Sequence, residues 1–347
     1  MDSTVEDLRK AVNDYRQTVQ ALCALAHELQ WNDDKRTMHA GAVASFGRRM
    51  DTTPENPVSP QTEVTPDLVL ERKDGYRVVA EAKIGLPSDS RYRKKTLGGV
   101  QKYDDDLEGW VLDPPTPRIH DCALLVKHFH GKAVVRDLSA MRANNVLVFS
   151  RNLAVIAFSI VQETEIFLSL DLLDGELGDK AKQDKFEERP VGISVEHIEQ
   201  NQQVGDLRLY DARPPLPHLM MLIHELIFND LSDDQLFALG EEGVVKVEVM
   251  VSELRQQLST EFGPGRSGPR VPDIPTETWV RDSMQLFVQL DWAEPMEGAP
   301  PSYVYFVKNR RKPYEQFLKL CAEKKSETTA ETGGQEKQLS LLPGDED

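Results

Sequence analysis

The stretch TPDLVLERKDGYRVVAEAKIGL, Thr65–Leu86, holds two apolar runs around Lys73-Asp74-Gly75, and the way it folds back decides everything downstream. Read as a hairpin, its strands are Asp67–Arg72 and Tyr76–Ile84. A two-residue turn at Asp74-Gly75 would set Asp67 against Ala82 and leave Asp67 and Glu81 on opposite faces, because a slip of one residue exchanges the faces of a strand. A three-residue loop with Gly75 in the left-handed conformation sets Asp67 against Glu81 instead. That register also pairs Glu71 with Arg77 and gathers Leu68, Leu70, Val78, Ala80, Ala82 and Ile84 on one apolar face, so it is the expected one.

Two facing carboxylates repel unless a cation lies between them, and Lys83 projects from the same face as Glu81. Oxygen ligands of this kind suit Mg²⁺, which takes few carboxylates and keeps several waters. Such an ion polarises a phosphoryl oxygen and activates water, while a neighbouring lysine offsets developing negative charge.

Working outward, Leu8, Val12, Tyr15, Val19, Leu22, Leu25 and Leu29 recur at spacings of three and four, which predicts one long helix before the hairpin, with Ser3 and Glu6 as its capping box. After the hairpin, residues 88–110 read as a helix interrupted at Gly98-Gly99. An apolar run at 122–129, a helix over 132–143 and strands at 146–150, 153–161 and 165–173 follow. Helices between nearly continuous apolar strands predict an α/β domain with a covered sheet.

Pro66-Asp67, thirteen intervening residues and then Glu81-Ala82-Lys83 resemble the PD-(D/E)XK motif of the restriction-endonuclease-like nuclease superfamily, and the likeness spans roughly residues 1–172. The resemblance implies a mixed sheet flanked by helices and Mg²⁺-dependent hydrolysis of phosphodiester bonds, with Mn²⁺ able to substitute, DNA as the substrate, and a bacterial restriction, phage-defence or repair setting. It implies Asp67 and Glu81 as metal ligands, the Ala82 carbonyl as a third, and Lys83 as the catalytic lysine. Gln101, on the helix after the lysine, matches an accessory glutamine of some members, although its spacing to Tyr103 departs from theirs. Glu28 and Glu63 are further carboxylates by position; Glu28 faces away from the apolar stripe, and neither is assigned to the site.

Arg91, Arg93, Lys94 and Lys95 lie just beyond the hairpin and are expected to hold phosphates without reading sequence. The chain has 347 residues and a net charge of −17. Residues 1–150 hold 21 basic and 22 acidic side chains, so the remaining 20 and 36 carry −16 of that excess. A polyanion therefore suits the N-terminal half, and a protein partner the acidic C-terminal half.

The expected organisation is a nuclease-like domain at 1–175, a polar boundary at 176–213, a mostly helical domain at 214–325 and a disordered tail at 326–347. Within the third segment, helix, loop and strand over 276–307 resemble the recognition helix and wing of winged-helix domains. In the tail, Gln338-Leu339-Ser340-Leu341-Leu342 resembles a bacterial sliding-clamp binding peptide. Three scattered cysteines, no apolar run long enough for a membrane and an acidic N-terminus point to a cytoplasmic protein. His218 and His224 lack the spacing of a metallopeptidase. Self-association stays open, as does a non-catalytic binding or assembly module that retains the fold.

Overall fold

A computed structural model of the chain describes residues 3–53, 63–84, 86–112, 119–162, 166–188, 190–195, 213–260, 275–298, 301–308 and 313–331. Seven of its strands form one mixed sheet in which they lie side by side in chain order. They are β1 (Val43–Phe46), β2 (Leu68–Glu71), β3 (Arg77–Lys83), β4 (Asp121–Lys127), β5 (Leu153–Gln162), β6 (Ile166–Asp174) and β7 (Val191–Ser194). Strands β3, β4 and β5 run parallel to one another, and every other pair is antiparallel. Parallel neighbours need a crossover, which α2 (Ser90–Gly98) and α3 (His128–Ala143) supply. The long helix α1 (Ser3–Gln30) precedes the sheet, and its seven spaced apolar residues are all buried. The side chain of Ser3 lies outside the described residues.

The hairpin takes the three-residue loop. Glu71 pairs with Arg77 and Leu68 with Ala80, the Arg72 amide donates to the Tyr76 carbonyl at 2.9 Å, and Gly75 sits at φ +93°. Leu68, Leu70, Val78 and Ala80 share one fully buried face. On the other face Val69, Val79, Leu124 and Val126 pack with Leu97 of α2 and Val134 and Leu138 of α3. A Cβ at Gly75 would meet open space, so a substitution there carries only the left-handed backbone cost. Gly75→Ala is therefore expected to lower unfolding free energy by about 1–2 kcal/mol, read from the urea midpoint; an unchanged midpoint would mean the loop conformation does not pin the register.

Several segments differ from expectation. Of residues 88–110, read as helix, Asp106–Glu108 form a short strand paired with Asp51–Thr53. Residues 146–150 form a loop, not a strand: Val146 and Val148 are exposed, and the Ser150 and Arg151 amides donate to the Asp104 carboxylate. The apolar run at 122–129 ends as a strand at Lys127, so His128 and His130 open α3. Within the stretch read as a polar boundary, α4 (Lys180–Glu188) packs on β6 and β7 joins the sheet. Its charge misled the reading: Lys182 is buried because Glu28 of α1 accepts from it at 3.0 Å, and Lys185 adds a second bond to the same carboxylate at 2.7 Å.

The second unit comprises described residues 3–16, 213–260 and 275–331. The start of α1 belongs here through an Arg9–Glu315 ion pair at 2.9 Å and a Tyr15–His218 ring contact. Its elements are α5 (Leu216–Asn229), α6 (Asp233–Glu242), β8 (Val244–Met250), α7 (Val251–Thr260), α8 (Glu277–Gln289), β9 (Ala293–Pro295), β10 (Ser302–Lys308) and α9 (Pro313–Glu331). The strands form an antiparallel sheet in the order β8-β10-β9. Ser232 and Gln235 form a reciprocal capping box at the start of α6. The helical backbone of α9 continues through Glu331, into the stretch expected to be disordered, whereas Gln338–Leu342 lies outside the described residues. No described helix is long and apolar enough to cross a membrane.

Burial lowers the pKa of two histidines to about 4: His120 in the first unit, and His224, whose Nδ1 lies 3.0 Å from the Tyr305 hydroxyl, in the second. Between pH 6.5 and 4 the unfolded chain then binds protons that the folded chain refuses. This stability is complete above pH 6.5 and falls as pH drops through that window, by up to about 1.4 kcal/mol per pH unit for each group. His224→Gln is expected to flatten the slope of urea-unfolding free energy against pH; an equal slope in wild type and variant would contradict it.

Candidate metal centre

Ladder geometry places the carboxylates. The Arg72–Tyr76 hydrogen bond makes 72/76, 70/78 and 68/80 the bonded pairs of the hairpin, and the paired ladder ends at 68/80, with a bend at Asp67. Asp67 and Glu81 lie one residue beyond that last pair, and the Asp67 carboxylate reaches the backbone amide next to Glu81. Both residues are buried. Beyond the end of the ladder, the Ala82 amide donates to Oδ2 of Asp67 at 2.6 Å.

Glu81 is held from two directions. Nζ of Lys83 donates to its Oε1 at 2.7 Å, and the Tyr103 hydroxyl donates to its Oε2 at 2.6 Å. Tyr103 ends the 3₁₀ turn Gly99–Tyr103 that follows α2, and its ring is buried in the core. His120 Nε2 and the Cys122 thiol both contact the Tyr103 carbonyl, which fixes the turn against the start of β4. Tyr103 is the residue missed from sequence. Its sequence signal is the glutamine and tyrosine of residues 101–103, of which the tyrosine reaches the Glu81 carboxylate and the glutamine turns to the Val148 carbonyl.

Gln101 donates to the Val148 carbonyl at 2.8 Å and lines a groove of about 290 Å³ with Lys94, Lys95 and Asn144. Arg91 and Lys95 are exposed, as phosphate contacts must be. Arg93 corrects the expectation: it is buried, donates to Asp137 at 2.7 Å and to the Pro87 and Ser88 carbonyls, and so anchors the start of α2 to α3. Glu28 is engaged by Lys182 and Lys185, and Glu63 by Arg49 at 3.3 Å.

The candidate donor set is two carboxylates and the Ala82 main-chain carbonyl, all oxygen. Among the described residues no three His, Cys, Asp or Glu side chains converge. A sparse all-oxygen set fits Mg²⁺, which retains water, better than Zn²⁺, which takes nitrogen and sulfur.

Compared with known proteins, the chain matches no family model, no curated protein and no solved structure.

Proposed function

We propose that the chain is a Mg²⁺-dependent nuclease acting on DNA, with Asp67, Glu81 and the Ala82 carbonyl as ligands and Lys83 as the catalytic lysine. The observation that carries this is the end of the hairpin, where Asp67 accepts from the Ala82 amide at 2.6 Å and Lys83 donates to the adjacent Glu81 at 2.7 Å. When bound, the cation supplies positive charge at a phosphoryl oxygen and acidity to water. Lys83 stands one side chain away to counter charge on the phosphate, and Asp67 fixes the Ala82 peptide. Tyr103 holds Glu81 in one orientation.

The test is cleavage of linear, circular and single-stranded DNA, and of RNA, by purified protein with Mg²⁺ or Mn²⁺; no metal-dependent cleavage of any would refute the proposal. Tyr103→Phe is expected to raise the Mg²⁺ concentration for half-maximal cleavage about 10–100-fold, as losses of outer partners of a metal ligand do. An unmoved half-maximal concentration would show that the tyrosine does not orient the ligand.

The second unit supports a separate role. Its order of helix, β8, α7, α8, β9, β10 and its strand order resemble a winged helix. The exposed residues of α8 include Glu277, Thr278, Arg281, Gln285 and Gln289, a face without the cationic excess that DNA backbone binding requires. We read this unit as a protein-contact module.

A further inference from the structure

We infer that Phe129 is a stacking platform for an unpaired base, so that the chain engages single-stranded nucleic acid beside the carboxylates; the location rests on the nuclease proposal above. Val126 is the Cα partner of Lys83, and adjacent strands lie about 4.8 Å apart. Phe129 follows three residues later, so at most about 11 Å of further chain separates it from that point. A stacked strand advances about 3.4 Å per nucleotide, which puts the ring within about five nucleotides of Lys83.

Phe129 occupies the first turn of α3 and is 74% exposed, whereas the helix buries Gly131, Val134, Leu138 and Met141. Helical side chains lean towards the N-terminus, which here is the carboxyl edge of β4. A lone exposed apolar residue needs no special cause. The company of this one sets it apart. Lys127 and His128 precede it, the His130 ring lies against it with centroids 3.8 Å apart, and the first turn of α3 carries no acidic residue. A protein partner would call for apolar neighbours. An aromatic ring beside a lysine, with two imidazoles as further hydrogen-bond donors, matches a nucleic-acid strand, the donors on phosphates and the ring on a base. Bases within a duplex already have both faces stacked, so the platform serves an unpaired one.

The test is fluorescence anisotropy in EDTA with a labelled oligothymidine and a blunt duplex of equal length, after thermal melts establish that the variants fold. Phe129→Ala is expected to weaken oligothymidine binding about tenfold and to leave duplex binding within about twofold, while Phe129→Trp retains the wild-type affinity. No oligothymidine binding by wild type, no effect of Phe129→Ala, or an equal loss on duplex would overturn the inference. The two proposals separate cleanly. Phe129-dependent binding without metal-dependent cleavage sinks the nuclease and leaves the platform; cleavage with Phe129-independent binding does the reverse.

Discussion

Replacing Lys83 with alanine is expected to lower the Mg²⁺-dependent cleavage rate by about 10²–10³-fold, the usual loss when one preorganised donor to developing charge is removed. The fold should survive, because Lys83 is partly exposed and its ion pair with Glu81 is open to screening, so the pair contributes at most about 1 kcal/mol. Rate and stability therefore separate at this position. Asp67→Asn makes the companion variant: an amide oxygen still accepts from the Ala82 N–H while the charge is lost, so activity should fall with little change in melting temperature. Steady-state cleavage of a labelled duplex, with circular dichroism melts on the same samples, reads both. Wild-type rates in the Lys83 variant would remove the lysine from the chemistry, and a collapse of the melt would show that the residue is structural.

Asp137→Ala is expected to produce the largest loss of stability, about 3–5 kcal/mol, because it leaves a buried guanidinium with two carbonyl partners and no counter-charge. Arg93 and Asp137 are each about 3% exposed, bonded at 2.7 Å, and Ser90 donates a further bond to the same carboxylate at 3.0 Å. This cluster ties the first turn of α2 to the middle of α3. Replacing both partners with apolar residues of similar volume, as in Arg93→Met with Asp137→Leu, should recover most of the loss, since breaking such a pair costs more than deleting it. Urea unfolding of the single and double variants measures this. A loss below about 1 kcal/mol in Asp137→Ala would mean that α2 is held by apolar packing through Leu97 alone.

What could be read from the sequence was local. Gly75 and the Glu71–Arg77 pair specify the hairpin register from within eight residues, and the apolar stripe of α1 marks its helix without reference to anything else. Errors arose wherever a charge found its partner far along the chain. Arg93 looks like its neighbours Arg91, Lys94 and Lys95, and only Asp137, 44 residues later, makes it a core residue. The polar run that became α4 and β7 is folded by Glu28, 154 residues before Lys182. Residues 146–150 carry the valines of a strand, yet the bonds that shape them run to Asp104. At the candidate site the same division holds: Asp67, Glu81 and Lys83 lie within one hairpin, whereas Tyr103 reaches Glu81 across 22 residues.

Pro66 stands just outside the hairpin's ladder, which ends at Leu68 and Ala80. Having no N–H, it cannot donate a further backbone bond from that side. The Asp67 side chain takes the Ala82 amide there, so the end of the hairpin is sealed by one carboxylate in place of a peptide group.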